Sequence, residues 1–228
     1  MVPGLASQFE RRAQALQRGA GRFGWKVGFG APSAMQMMAI DRPLLGYLTD
    51  EGVVPSGTAV DVSGWRQAVI EFEIALYIGS DVEPGADEEA ARSAVSAIGP
   101  AIELADVDLP IGPESIGEIV AGNIFHKAVI LGEPDTARYA IDLDGLEALV
   151  RVDGVEFGRT SRLEDLTGSY PNVVSTVAST VAAQGEMLRA GDVIIAGSVF
   201  PPAAIDAAHT YEFTLHPLPS IAVEVGTE

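Results

Sequence analysis

The sequence predicts a β-rich α+β domain, and three features of the chain support this prediction. Many short apolar runs rich in β-branched and aromatic residues lie between turn-forming residues, a pattern typical of strands. Only a few segments have helical periodicity, and they do not alternate regularly with the strands as in a βαβ fold. No internal repeat of about 20–50 residues is visible. We therefore expect one domain over residues 1–228, on which an N-terminal helical segment, residues 1–21, packs.

The composition is that of a folded, acidic protein. The 228 residues are 47% hydrophobic and 20% charged, which is enough length and apolar content to bury a core. The formal net charge is −18, from 32 acidic and 14 basic residues. Such a charge repels phosphate backbones, so we expect no nucleic-acid partner.

The chain contains no cysteine, which excludes disulfides, thiolate catalysis and cysteine-ligated zinc. Residues 1–21 carry four charged side chains and no long apolar run, so we expect neither a signal peptide nor a membrane anchor. A cytoplasmic protein without a membrane partner is the resulting expectation.

In the first half of the chain, a helix is predicted over residues 7–18, whose apolar side chains fall near one face. Asp87 is a candidate N-cap for a second helix, which is predicted to end near Ala97 before Gly99-Pro100. The other predicted elements of this half are strands over 24–30, 43–48, 59–62, 69–78 and 101–104, a short helix over 34–39 and a loop over 110–113.

In the second half, Asp153-Gly154 favours the type I′ turn of a β-hairpin between strands over 146–152 and 155–157. A helix is predicted over 170–184, because Pro171 suits its first turn and valines recur on one face. The remaining predicted elements are strands over 127–131, 193–198, 211–215 and 221–225.

Two glutamates, Glu71 and Glu73, lie inside the apolar run of residues 70–78. Side chains two apart on a strand share one face and lie roughly 6–7 Å apart. Because buried carboxylates need compensation and Mg²⁺ prefers oxygen ligands, a hard divalent cation is one explanation for the pair. The alternative is an edge strand with both carboxylates in water.

Five segments occur together in the order found in one protein superfamily, and as a set they span most of the chain. They are residues 24–29 (GWKVGF), 43–46 (PLLG), 71–75 (EFEIA), 100–103 (PAIE) and 188–198 (LRAGDVIIAGS). The chain therefore resembles the fumarylacetoacetate hydrolase superfamily, and most closely its branch of 2-keto-4-pentenoate hydratases and 4-oxalocrotonate decarboxylases. The resemblance implies a mixed β-sheet fold, with a few flanking helices, rolled around a metal site.

By position, the resemblance implies that Mg²⁺ or Mn²⁺ is held by Glu71, Glu73 and Glu103. Open coordination positions would then accept a small 2-keto acid, whose carbonyl the metal polarises. Lys26 matches the family's active-site lysine. Either burial lowers its pKa so that it exchanges protons, or it is a fixed positive charge for the substrate carboxylate.

Three further positions match family segments that approach the substrate. Gly197 and Ser198 resemble a late segment whose backbone and hydroxyl contact the substrate, with a strand-ending turn as the alternative. Gln36 falls where the family often has a glutamine near the site.

Acids that the family usually carries are missing at several positions. Leu44 stands where the hydratases usually have an aspartate, and Gly122 replaces the acid of an Asp-Asn pair. His209 lies in a region where another aspartate is expected. Because histidine titrates near neutral pH, His126 or His209 could replace a lost acid as a proton carrier, and a structural role is the alternative for each.

The resemblance implies a divalent-metal-dependent lyase acting on a small 2-keto or 2-hydroxydienoate acid. A hydratase of 2-keto-4-pentenoate type is the first expectation, and Leu44 favours the alternative of a 4-oxalocrotonate-type decarboxylase. An acylpyruvate-type C–C hydrolase and a repurposed non-catalytic protein are further alternatives. Because relatives usually assemble as homo-oligomers, the resemblance also implies a homo-oligomer.

Overall fold

The structure is a computed structural model, and it describes residues 2–226. Within these residues the chain forms five α-helices and twelve β-strands. The helices are α1 (Leu5–Gln17), α2 (Pro32–Met38), α3 (Glu88–Ser93), α4 (Ile116–Ala121) and α5 (Tyr170–Ala182). The strands are β1 (Arg22–Gly28), β2 (Leu44–Thr49), β3 (Ala59–Asp61), β4 (Ala68–Ile78), β5 (Val95–Asp106), β6 (His126–Leu131), β7 (Glu147–Val152), β8 (Val155–Thr160), β9 (Val193–Ser198), β10 (Ala203–Ala204), β11 (His209–His216) and β12 (Ile221–Gly226).

The strands form two mixed sheets. The larger sheet has the order β2-β1-β9-β4-β5-β6, with β10 added beside β4, and the smaller has the order β3-β12-β11-β7-β8. Each sheet contains one parallel pair, β1 with β9 and β3 with β12, among antiparallel neighbours. The predicted fold class, a β-rich mixed-sheet α+β fold with a few flanking helices, is therefore confirmed.

The larger sheet is rolled up, so that its two edge strands approach each other. The chain leaving β2 at Thr49 makes one short turn and then places Val53 beside Val129 of β6, the opposite edge. The backbone N–H of Val54 donates a hydrogen bond to the carbonyl of Val129 at 2.9 Å. Closing the edges in this way gives the sheet an inner and an outer face.

Strand β4 shows how the sequence assigns residues to these faces. Side chains alternate along a strand, so Phe72 and Ile74 point to the outer face. The Phe72 ring packs 5.6 Å from the ring of Phe213 in the smaller sheet, measured between centroids. Glu71 and Glu73 therefore point to the inner face, where the alternation of the sequence places them.

Below the glutamates the inner face is an apolar layer. Five strands contribute to it, and its buried members, all at most 4% exposed, are Leu48, Ala75, Ala101, Val129, Val193 and Ile195. This layer fills the roll beside the C-terminal half of β4, which follows Glu73 in the chain. The glutamates are therefore closed off by apolar side chains on that side.

The N-terminal helix α1 docks against the rolled sheet through buried polar groups. The side chain of Gln8 donates hydrogen bonds to the carbonyls of Leu45 and Val120, each at 2.8 Å. The guanidinium of Arg12 lies 4.6 Å from the ring centroid of Trp25 in β1, and it pairs with Glu186 at 2.7 Å. None of the helices in residues 2–226 has the length and apolar content needed to span a bilayer.

The prediction of a helix from Asp87 to about Ala97 is wrong at its end. Helix α3 stops at Ser93, and β5 then runs from Val95 straight through Pro100. Proline is tolerated there because β6 ends opposite Ala101, so pairing with β6 does not need the missing N–H of Pro100. The long pairing of β5 with β4 outweighs the local stop signal.

Two elements, α4 and β10, are absent from the sequence predictions. They contain six and two residues, which is too short for a hydrophobic period to be visible. Both form because of tertiary contacts, and α4 packs against α1.

The hairpin of β7 and β8 is confirmed, with its turn at Asp153-Gly154. Both turn residues have left-handed backbones, with φ of 50° and 79°, as the type I′ turn demands. The carboxylate of Asp153 also accepts a hydrogen bond from the backbone N–H of Thr210 at 2.9 Å, which fixes the turn against β11.

Replacing Gly154 by alanine is expected to destabilise the protein by about 1 kcal/mol, since a Cβ disfavours left-handed backbone. For a chain of this length that corresponds to a decrease in Tm of about 2–4 °C. Thermal unfolding measures the shift. The matched control is Gly64→Ala, at a glycine without a left-handed backbone and with open space around it. Equal Tm values for the two variants would contradict the turn assignment.

Candidate metal centre

Three glutamates converge on the inner face of the rolled sheet. Carboxylate oxygens of Glu71, Glu73 and Glu103 all lie within 4.8 Å of one another. The antiparallel register of β4 and β5 sets Glu71 directly opposite Glu103, and Glu73 follows on the same face. Because β4 lies between β9 and β5, the alternative of an edge strand with solvated carboxylates is wrong.

Bringing three carboxylates together away from water makes their ionisation unfavourable. Burial raises the pKa of Glu71 to about 7, and repulsion from Glu103 adds to this effect. Burial also raises the pKa of Glu73 well above its usual range, with further repulsion from Glu103 and Glu71. The cluster therefore needs positive charge before all three groups can carry their charges together.

One positive charge comes from Lys26, whose ammonium donates a hydrogen bond to Glu103 Oε1 and another to the carbonyl of Ile124 at 3.2 Å. Burial raises the pKa of Glu103, but Lys26 and then His126 outweigh it, so the pKa lies below its usual value. Burial alone would lower the pKa of Lys26. The charges of Glu103 and then Glu71 outweigh burial and raise it, so among these side chains Lys26 is an ammonium and the lowered-pKa expectation is wrong.

His126 lies on the other side of Glu103. Its Nδ1 is 2.8 Å from Glu103 Oε1, the same oxygen that Lys26 contacts. Its Nε2 is turned toward the chain after β2, since a Cβ added at Gly52 would lie 3.1 Å from it. Glu103 is thus held from two sides through one oxygen, and its second oxygen is left for another partner.

The unpaired oxygens of the cluster fit a divalent cation. Within the described residues, Glu73 Oε1 and Glu103 Oε2 are buried and have no hydrogen-bond partner. Buried polar atoms normally find partners, and two unpaired oxygens on converging carboxylates are placed where a cation could bind them. A set of three carboxylates with no sulfur or nitrogen ligand matches the hard ions Mg²⁺ and Mn²⁺.

The end of β9 supports the glutamates from beside β4. The backbone N–H of Gly197 donates a hydrogen bond to Glu73 Oε2 at 2.7 Å. The hydroxyl of Ser198 accepts from the N–H of Phe72 at 3.1 Å and is 3.2 Å from its carbonyl, to which it can donate. The structure therefore brings Gly197 and Ser198 to the cluster as supports of β4, and contact of either with substrate stays a prediction.

Two of the other candidate residues make no described hydrogen bond to the cluster, and contact of Gln36 with substrate stays a prediction. Gln36 is exposed on α2, and the hydrogen bonds described for residues 2–226 include none from its side chain. His209 belongs to the smaller sheet, where its Nδ1 lies 2.7 Å from Asp153 Oδ2. This contact with the turn of the β7–β8 hairpin gives His209 a structural role, and no role as a proton carrier at the glutamates is needed to explain it.

Sequence reasoning missed two residues beside Lys26, Asn123 and Gly46. Asn123 clamps β2, because its Oδ1 accepts from the N–H of Tyr47 at 2.7 Å and its Nδ2 donates to the carbonyl of Tyr47 at 2.9 Å. The neighbouring Gly46 leaves room for the lysine, since an added Cβ would lie 2.6 Å from Lys26 Cγ. Gly46, the last residue of the segment 43–46, was the feature of the sequence from which a close approach of another side chain could have been predicted.

The rolled mixed sheet with three converging glutamates is the architecture of a protein that binds a divalent metal through carboxylates. Comparison with known proteins identifies the family. The model of the fumarylacetoacetate (FAA) hydrolase C-terminal family matches residues 25–225, and the chain belongs to this family.

Relatives and a solved structure agree with this assignment. A 4-oxalocrotonate decarboxylase of Pseudomonas sp. is 28% identical over 85% of this chain and 74% of its own length. A 2-keto-4-pentenoate hydratase of Burkholderia vietnamiensis is 27% identical over 87% of this chain and 76% of its own length. The structure of 4-oxalocrotonate decarboxylase from Pseudomonas putida G7, complexed with magnesium and adipate, superposes with a TM-score of 0.85 at 24% identity. That comparison covers 96% of this chain and 84% of the other.

Replacing Glu73 by glutamine is expected to separate metal binding from stability. We expect Mg²⁺ or Mn²⁺ to bind at least about tenfold more weakly, since a ligand oxygen is lost. Without added metal, the Tm should equal or exceed that of the wild type, because an unfavourably buried carboxylate is removed. Calorimetric titration and thermal unfolding measure the two effects, with the exposed Glu10→Gln as control. Unchanged metal affinity would argue against ligation by Glu73.

Proposed function

We propose that the chain is a divalent-metal-dependent lyase acting on a small 2-keto or 2-hydroxydienoate acid, with hydration of the 2-keto-4-pentenoate type as its reaction. The observation that carries the proposal is the group of three converging carboxylates, two of them fully buried with an unpaired oxygen each, beside the buried Lys26. Its relatives include hydratases and decarboxylases of such acids. A fold relative was solved with magnesium and the dicarboxylate adipate, which further supports a metal and an acidic ligand.

In this proposal Glu71, Glu73 and Glu103 hold Mg²⁺ or Mn²⁺. Glu73 Oε1 and Glu103 Oε2 are the atoms available for it, since their partner oxygens bond to Gly197 and to Lys26. When bound, the metal polarises the 2-keto group of the substrate and stabilises the negative charge that develops on its oxygen.

Lys26 supplies the proton in this proposal. Its raised pKa keeps it an ammonium, and two of its three N–H groups bond to Glu103 and Ile124. The third N–H is free to reach the substrate. Hydration adds a proton to one carbon and a hydroxyl to another, so the proton given by Lys26 is replaced by the one released from the added water.

His126 serves this reaction by holding Glu103. Its Nδ1 contacts the carboxylate while its Nε2 faces Gly52, which supports an orienting role over direct proton transfer to the substrate. Groups that orient a ligating carboxylate influence metal affinity and geometry without touching the metal.

A decarboxylase is the second candidate, and Leu44 favours it. Leu44 is 1% exposed at the start of β2, where the related hydratases usually carry an aspartate. An apolar side chain offers no hydrogen bond to position a water molecule. Decarboxylation needs no added water, because a C–C bond breaks, CO₂ leaves and its electron pair passes to the keto group.

We also propose that the enzyme is a cytoplasmic homo-oligomer. The absence of cysteine is compatible with a reducing compartment. The exposed apolar side chains Val155 and Phe157 on β8 support a contact between subunits. Light scattering coupled to size-exclusion chromatography measures the mass, and a monomer at micromolar concentration would refute the oligomer.

The deciding experiment is a Mg²⁺-dependent ultraviolet assay that offers 2-hydroxypenta-2,4-dienoate and 4-oxalocrotonate separately. Metal-dependent loss of the first substrate would establish the hydratase, and release of CO₂ from the second would establish the decarboxylase. Glu71→Gln, which removes a proposed ligand, should be inactive with both. Activity without added metal in a chelator-treated sample would overturn the proposal.

Replacing Lys26 by methionine, which keeps the length of the side chain, is expected to lower kcat by about 10²–10⁴-fold. Metal binding should persist, since no proposed ligand is removed. Steady-state kinetics and metal titration test this, with Lys127→Met at the chain's other, exposed lysine as the matched control. A variant with wild-type kcat would exclude Lys26 as the proton donor.

A further inference from the structure

Three consecutive residues between α4 and β6 have left-handed backbones. Their φ angles are 68° at Asn123, 51° at Ile124 and 64° at Phe125. Asparagine tolerates this conformation, but for isoleucine and phenylalanine it is uncommon and unfavourable. The surrounding structure must therefore compensate for this turn of residues 123–125.

Backbone hydrogen bonds fix both ends of the turn. The N–H groups of Asn123 and Ile124 donate to the carbonyls of Val120 and Ile119, at 3.0 and 2.8 Å. At the other end the carbonyl of Phe125 accepts from the N–H of Asp106 at 2.9 Å. These bonds leave the carbonyl of Ile124 free, and it accepts from the ammonium of Lys26 at 3.2 Å.

The side chain of Asn123 ties the same turn to β2. It occupies both backbone groups of Tyr47, as a neighbouring strand would. Tyr47 follows Gly46, the residue that lies opposite Lys26 in the pairing of β1 and β2. A Cβ on Gly46 would meet both Lys26 Cγ, at 2.6 Å, and Asn123 Oδ1, at 3.1 Å. The lysine stem and the asparagine amide therefore share the space above one glycine.

We propose that Asn123 is a positioning residue for Lys26. By clamping the turn of residues 123–125 onto β2, it holds the carbonyl of Ile124 at the lysine ammonium and confines the lysine stem above Gly46. This inference rests on the proposed function for its effect on turnover. The position of Lys26 itself is testable without turnover.

The site has a chemical reason to need such a clamp. Glu103 alone would hold the ammonium at one point and let it swing on a flexible four-carbon stem. A second acceptor, the carbonyl of Ile124, fixes the direction of the remaining N–H. Misplacing a reacting group by about 1 Å can cost about 100-fold in rate.

The test uses Asn123→Gly, because glycine accepts the left-handed backbone and only the clamp is lost. Asn172→Ala, at the chain's other asparagine, exposed on α5, is the matched control. We expect kcat to fall by about 10–100-fold, while KM and Mg²⁺ affinity stay within about threefold of wild type.

A second measurement reports on the lysine directly. The chain has two lysines, so limited acetylation with acetic anhydride followed by peptide mass spectrometry compares buried Lys26 with exposed Lys127. In Asn123→Gly we expect the Lys26-to-Lys127 labelling ratio to rise at least about tenfold, because the ammonium loses an acceptor. The Asn172→Ala ratio should match that of the wild type.

A kcat and a labelling ratio equal to those of the wild type in Asn123→Gly would overturn the proposal. If that variant does not fold, Asn123→Asp replaces it, since it tolerates the left-handed backbone and keeps the acceptor for Tyr47 N–H. Aspartate lacks the donor to the Tyr47 carbonyl, so kcat should fall and the labelling ratio should rise, each by less than in Asn123→Gly. The absence of both changes would count equally against the clamp. Wild-type protein without turnover would refute the proposed function, while the labelling ratio would still decide the role of Asn123.

Discussion

The rest of the site depends on one constraint, the convergence of three carboxylates, two of them fully buried, on two adjacent strands. Burial, and then repulsion from Glu103 and Glu71, raises the pKa of Glu73. Lys26 neutralises only one of the three charges. Two charges remain for a divalent cation, which explains why the cluster is built from oxygen ligands and keeps two buried oxygens unpaired. The neighbouring polar groups support this arrangement, since Gly197 holds Glu73 and His126 holds Glu103.

The same constraint explains the architecture of β4. Its outer face must pack against the smaller sheet, which Phe72 does, while its inner face carries the glutamates. The layer of small and branched residues below them, which includes Ala75 and Val129, keeps water out of the bottom of the roll. A dry surrounding strengthens every electrostatic interaction at the cluster, both the repulsion between carboxylates and the attraction to a cation. The rolled sheet is thus as much a part of the site as the ligands are.

The sequence predicted those parts of the protein that depend on local pattern. The spacing of Glu71 and Glu73 on a strand determines their common face, and the ordered segments led to Glu103 and Lys26 by resemblance. The end of α3 was wrong because pairing between β4 and β5 outweighed the stop signal at Gly99-Pro100. The direction of the Lys26 pKa also failed, since burial and neighbouring charge oppose each other and only the distances decide which is larger. The left-handed turn after α4 was beyond prediction, because Ile124 and Phe125 are residues that disfavour it.

The carboxylate cluster by itself does not choose between hydration and decarboxylation, because both reactions need a polarised keto group. The choice must lie with the groups that move a proton and position water, and these surround the cluster without belonging to it. In both proposed routes Lys26 begins as an ammonium. Leu44 places a buried apolar side chain at the start of β2, and the Nδ1 of His126 contacts Glu103. In the proposed reaction few other acid–base groups are assigned, so the direction of the Lys26 N–H that bonds neither Glu103 nor Ile124 controls where the proton is delivered. A clamp on that lysine therefore has more influence on the outcome here than it would in a site rich in acids.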